Sequence, residues 1–237
     1  MNSHTRFNFT CLALSLLVIG GVATQPVVAQ NTELQQKVAD LKQIAAANKQ
    51  ALAQYTYVQT TTVSINGEVK KVTHDQVVTG PDGTPQKTSL DPPPPPPSGG
   101  RLRQHVVAKK TDEFEDYANS IKALIAQYMP PNSGLIEQAA SSGNIMMGPA
   151  GAPGESKLVI SNYVKQGDNM TVTVNRAAGG MQSISIATYL TSPSDAVTVN
   201  VQFSRIPGGP SYPAMQTING TSKKMTIVIQ NANYQHV

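Results

Sequence analysis

Apolar and polar positions along this 237-residue chain change period three times, and each change marks a switch between helix and strand. Leu34, Val38, Leu41, Ala45, Leu52 and Tyr55 recur at helical spacings, which predicts a helix over 32–54 with one packed face. Thr32 and Gln35 form a capping box at its start. The pattern then turns to β. Tyr55 to Ile65 (YTYVQTTTVSI) is dense in β-branched and aromatic residues, and Asn66-Gly67 behind it signals a hairpin with a two-residue type I′ turn. Such a loop pairs Ile65 with Glu68 and, by continuation, Thr61 with Val72 and Tyr55 with Val78. That register sets His74 opposite Gln59 as a hydrogen-bonded, partly buried histidine. Gly80-Pro81-Asp82-Gly83 gives a second turn, and a third short strand follows around Thr84 to Leu90.

Helical periodicity returns after residue 110. Thr111 reads as an N-cap, and Phe114, Tyr117, Ala118, Ile121, Leu124, Ile125 and Tyr128 make a clean stripe that Pro130-Pro131 ends. A shorter helix is expected from Ser133 to Ser142. Gly148 to Gly154 (GPAGAPG) reads as a loop, since it lacks the sustained triplet repeat of collagen. From Lys157 onward the chain predicts strands at 157–165, 169–176, 182–190, 196–205, 212–218 and 223–231. Turns are expected at Gln166-Gly167-Asp168, Gly179-Gly180, Ser192 to Asp195, Pro207 to Pro210 and Asn219-Gly220. Met170/Val172/Val174, Ile184/Ile186/Leu190, Val197/Val199/Val201/Phe203 and Met225/Ile227/Ile229 alternate with Thr, Ser, Asn and Gln, the mark of a sheet with one apolar face. The expected fold class is α+β: a curved, largely antiparallel sheet of about nine strands packed over an N-terminal helix and one or two mid-chain helices.

The flanking segments set the address and the joints. Arg6, the apolar run Cys11 to Val22 and the small residues of Val27-Val28-Ala29 follow the order of a cleavable export signal. The run is short of the ~20 residues that span a bilayer. Residues 1–29 are therefore expected to be removed, leaving 30–237 as a single domain, periplasmic or outside the cell and not membrane-spanning. The one cysteine, Cys11, goes with the signal, so disulfides, thiolate metal sites and a cysteine nucleophile are not expected in what remains. Pro92 to Pro97 with Ser98-Gly99-Gly100 predict a stiff surface connector over 91–100.

Charge and chemistry narrow the function classes. After signal removal the net charge is +3, too mild for a nucleic-acid partner. Arg101, Arg103, Lys109 and Lys110 run at once into Asp112, Glu113, Glu115 and Asp116, which reads as a solvated linker entering an acidic helix N-terminus. His74, His105 and His236 are scattered without metal-ligand spacing. No HExxH, GxSxG, SxxK, Walker or GxGxxG pattern occurs, so neither catalytic residue, metal nor cofactor is expected.

Four segments carry a resemblance: LAQYTYVQTTTVSINGEVKKV, GPDGTPQKTSLDPPPPPPSGGRL, DAVTVNVQFSR from Asp195 to Arg205, and KKMTIVIQNANYQ. In them the chain is similar to a group of uncharacterised secreted bacterial proteins. In its order of elements it resembles the periplasmic lipoprotein carriers, the LolA-like half-barrel, in which a curved sheet closes over helices around a cavity for acyl chains. The resemblance implies an apolar groove between Phe114, Tyr117, Ile121, Leu124 and Tyr128 on the helix and Ile184, Ile186, Val199, Val201 and Phe203 on the meander. If these faces meet fully they make only a core. If they meet imperfectly they leave room for an acyl chain. Three readings stay open: a carrier or sensor of a lipid or acylated protein, a structural protein contacting other envelope proteins, and a hydrolase whose site the sequence does not display.

Overall fold

A computed structural model describes residues 46–93, 101–175 and 180–237, together with Ala39 and Gln43. The expected signal, the capping box at Thr32, most of the proline connector and Gly179 lie outside the described residues. Residues 46–52 are helical (α1) and feed directly into the sheet. Asn48 ties α1 down by a two-point contact: its amide donates to the Ser211 carbonyl at 2.6 Å and its oxygen accepts from the Ser211 N–H at 2.7 Å.

The strands are β1 (Tyr55–Ile65), β2 (Glu68–Thr79), β3 (Pro85–Ser89), β4 (Ile145–Pro149), β5 (Glu155–Ser161), β6 (Asn169–Asn175), β7 (Gly180–Tyr189), β8 (Ala196–Arg205), β9 (Ser211–Gly220) and β10 (Met225–His236). Between β3 and β4 come α2 (Arg101–Ile125) and α3 (Ser133–Ser141). All ten strands form one sheet in the order β3-β2-β1-β10-β9-β8-β7-β6-β5-β4, and every described pairing is antiparallel. The fold is α+β, an open curved sheet over helices. It has one strand more than expected: β4 falls on residues read as the approach to a loop, because IMMGP is short and ends on Gly-Pro.

Asn66 and Gly67 take φ of 53° and 81°, the left-handed pair that a type I′ turn requires. Ile65 pairs with Glu68 as expected, but the register changes just beyond. Val63 faces Lys71 while Ser64 faces Val69, so β2 carries one extra residue there. A bulge of one residue turns every later side chain to the opposite face. Thr61 consequently pairs with Thr73, not Val72, and His74 stands opposite Thr60, not Gln59. The bulge turns Val77 inward to 1% exposure and leaves Val72 outside at 44%. His74 is exposed, not partly buried, and its ring meets Asp91 at 2.8 Å.

Two further expectations are corrected. α2 starts at Arg101, so Thr111 is no cap, the basic residues belong to the helix rather than to a linker, and the first turn carries no acidic residue. The sequence from Arg101 to Lys110 lacks a single apolar stripe, which hid its helicity. At the chain end, β10 runs past the expected strand end at 231 to His236, whose ring packs edge-on against Tyr55 at 5.2 Å.

The core lies where α2 crosses the inner face of the sheet. Tyr117, Ile121, Leu124 and Tyr128 pack with Ile160, Met170, Ile186, Val197, Val199 and Met225 in one buried cluster. The outward positions of β8, Thr198, Asn200 and Gln202, are exposed, which is the alternation expected of a one-sided sheet. Asn219 and Gly220, read as a turn, are the last residues of β9; the turn is at 221–224. Gly220 serves another purpose. A Cβ there would lie 2.6 Å from the Tyr117 hydroxyl oxygen and 2.8 Å from Ile121 Cδ1, so its missing side chain is what lets α2 seat.

Candidate functional site

The inner face is graded along the strands. The row under α2, Ile65, Met225, Gly220 and Val197, is buried, and so are Met170, Ile186, Val199 and Ile218 of the next. That second row continues on β10 and β1 with Ile227 and Val63, which are only partly buried, while one step along Val172, Ile184 and Val201 are still buried. Ile229, in the row of Val201, and Val174, Met181 and Phe203, a step further, are partly buried and still apolar. Strand pairing holds these rows together: Ile184 faces Val172 and Val201, and Ile186 faces Met170 and Val199. Of the ten groove residues expected, Tyr117, Ile121, Leu124, Tyr128, Ile184, Ile186, Val199 and Val201 are buried together, with Phe114 and Phe203 packed partly buried at the margins.

Two tyrosine hydroxyls fix α2 across this face. Tyr117 lies within the helix, and Tyr128 lies in the turn that follows its last residue, Ile125. Tyr117 donates to Asp195 at 2.9 Å in the β7–β8 loop. Tyr128 donates to Asp168 at 2.5 Å and shares a 2.7 Å hydrogen bond with Thr188. Asp168 is itself buried and accepts from the backbone N–H groups of Tyr163 at 2.6 Å, Val164 at 3.0 Å and Lys165 at 2.9 Å. Three convergent N–H donors compensate a buried carboxylate, so the group is a fixed strut of the β5–β6 loop. Burial, and next the carboxylate it donates to, push the Tyr128 phenol well above the usual tyrosine range.

The aliphatic rows end on a polar and aromatic border. Past Thr61 and Ile229, the inward residues of β1 and β10 are Gln59 and Asn231, both buried. Lys87 donates to the Gln59 oxygen, Gln59 donates to Asn231 at 2.9 Å, and Asn231 donates to the Pro213 carbonyl at 2.8 Å. Beyond them Tyr57 stacks on Tyr234 at 4.7 Å, and Tyr212 leans on Tyr234 at 4.2 Å. Burial raises the phenol of Tyr57 above its ordinary value, and burial with its two ring neighbours raises that of Tyr234. Sequence reasoning missed this border. The signal was present in the alternation itself: Tyr57-Gln59-Thr61-Val63 and Ile227-Ile229-Asn231 place an amide where an inward aliphatic is expected.

Among the described residues no group of three or more His, Cys, Asp or Glu side chains is placed to hold a metal ion. No described helix is long and apolar enough to cross a membrane. No protein-family model and no curated protein matches the chain. Solved structures similar to it include two from bacteria. One is a DUF1329 family protein from Desulfovibrio piger, at 10% identity and TM-score 0.42, covering 90% of this chain and 94% of the other. The other is a LolA superfamily protein from Nitrosomonas europaea, at 9% identity and TM-score 0.38, covering 83% and 93%. At these values no residue role or ligand passes from either protein to this chain.

Proposed function

We propose that this protein is an exported carrier or sensor for an acyl-bearing molecule, held against the inner face of the sheet beyond α2. One observation carries the reading: the apolar inner face outruns its fully buried zone. Val63, Val174, Met181, Phe203, Ile227 and Ile229 continue the aliphatic rows but are only partly buried. A sheet that needed only a core would not require aliphatic side chains in the half-covered rows. Each methylene buried there contributes ~0.8 kcal/mol, so a partly enclosed chain binds usefully. The border of Gln59, Lys87, Asn231 and the tyrosines offers hydrogen-bonding groups to the polar end of an amphiphile. Residues 1–29 would deliver the chain across the inner membrane.

The test is a titration with a fluorescent fatty acid. Wild-type protein should bind saturably. Ile229→Glu, which sets a carboxylate among the half-covered rows and outside the buried core, should weaken binding at least tenfold while the protein stays folded. Leu124→Ala, which enlarges the space under α2, should retain binding. No saturable binding by wild type or Leu124→Ala refutes the reading. In that case contacts with other envelope proteins become the better account.

A further inference from the structure

The two edges of the sheet are built differently. In an antiparallel ladder alternate residues exchange both backbone hydrogen bonds with the neighbouring strand, and the residues between them point their N–H and C=O the other way. The Thr84 carbonyl accepts from Gly80 and the His74 carbonyl from Leu90, both at 2.8 Å, which fixes the phase of β3. Gln86 and Thr88 face β2, and Pro85, Lys87 and Ser89 form the outer edge. Pro85 has no N–H to offer, and Lys87 brings a charge. Proline and lysine are the usual guards of a free edge.

At the other edge, the Asn144 carbonyl accepts from Ser161 at 2.9 Å, and the Ala150 N–H donates to Glu155 at 3.2 Å. Met146 and Gly148 therefore bond to β5, and Ile145 and Met147 direct both N–H and C=O outward. Among the described residues no hydrogen bond reaches these groups. No charged residue occurs between Glu137 and Glu155. Met146 is 66% exposed and Met147 44%. Pro149 also falls on this outer row and offers no N–H, so the edge open to pairing runs from Ile145 to Met147.

We propose that β4 is a self-association seam that joins two copies of this chain into a two-fold dimer with one continuous sheet. Strand β4 is complementary to itself. With Met146 opposite Met146 of the second copy, Ile145 exchanges both backbone bonds with Met147 of the second copy, and the symmetry repeats them, for four bonds across the seam. The two Met146 side chains then meet on the outer face, and each Met147 lies beside an Ile145 on the inner face. A charge-free strand carries no like-charge penalty when it meets its own copy. Head-to-tail growth, β4 on β3, would make an open filament, and Pro85 with Lys87 opposes it; the two-fold arrangement closes after two copies. A five-residue strand is a short seam, below the ~1,200–2,000 Å² of a standard interface, so the dimer is concentration-dependent.

Analytical ultracentrifugation of the protein as the cell produces it, over a wide concentration range, tests the seam. Wild type should move from the mass of one chain towards that of two and no further. Met147→Pro removes an outward N–H and leaves the β4–β5 bonds intact, and Met146→Lys sets like charges face to face. Each should weaken association roughly tenfold or more, with cooperative thermal unfolding retained. Should Met147→Pro fail to fold, Met146→Lys, at an exposed position, decides alone. Four results overturn the proposal: a wild type monomeric at every concentration, a dimer indifferent to Met146→Lys, growth beyond two copies, or a monomer that instead captures an extended apolar peptide along β4. Fatty-acid binding by either variant is a separate readout, so failure of the seam and failure of the carrier reading remain distinguishable.

Discussion

Gly220→Ala isolates the contact that seats α2 on the sheet. Gly220 has no positive φ, so alanine brings no backbone strain there, and space alone decides the outcome. The added Cβ would stand 2.6 Å from the Tyr117 hydroxyl oxygen, 2.8 Å from Tyr117 Cε1 and 2.8 Å from Ile121 Cδ1. Ordinary carbon contacts are ~3.5–4.0 Å. The helix must therefore lift by most of an ångström, yet Tyr117 is tied to Asp195, Tyr128 to Asp168, and Ile121 is fully buried. Overpacking of this kind costs ~1–3 kcal/mol. Replacing glycine in a strand returns ~0.5–1 kcal/mol, so a net loss remains. Urea unfolding should show a lower midpoint at unchanged m, and the melting temperature should fall by several degrees. Ile121→Val in the same chain removes Cδ1, one of the three clashing atoms. The double variant should lose less than the sum of the two single losses. Equal or greater stability of Gly220→Ala would refute the close approach and the placement of α2 with it.

Other outcomes follow from the same geometry. Gly67→Val should lower stability by ~1–2 kcal/mol, read by thermal melt, because φ of 81° is strained for a β-branched residue. Asp168→Asn should cost ~1–3 kcal/mol in chemical denaturation, because an amide donor replaces an acceptor among three backbone N–H groups and a phenol. The tyrosines' contribution to stability should be level below about pH 10 and fall above it, since Tyr57, Tyr117, Tyr128, Tyr163 and Tyr234 hold their protons more tightly folded than unfolded. Tyr128→Phe should flatten part of that slope, measured by denaturation at stepped pH; an unchanged slope would contradict the buried Tyr128–Asp168 contact.

What could be read from the sequence was what one-sided burial writes into it. Strands β6 to β8 and the first half of β10 alternate because one face meets α2 and the other meets water, so Met170, Ile184, Val199 and Met225 announced themselves. The stripe from Phe114 to Tyr128 did the same for α2. Elements whose form depends on a distant partner were not legible. The bulge near Lys70 exists only once β1 and β2 pair, and Val72 and Val77 are alike in type. Gly220 looks like a turn glycine beside Asn219 until Tyr117 is brought over it. Asp168 could be read as a turn residue, but its role as a buried acceptor needs Tyr128, forty residues away.

The most direct test of the carrier account is native mass spectrometry of the exported protein, purified gently and compared with the same protein after lipid extraction. The account predicts a bound acyl-containing species that extraction removes and fatty acid restores, with the restored occupancy lost in Ile229→Glu. A single unliganded mass in both preparations, unchanged when fatty acid is added, would contradict it.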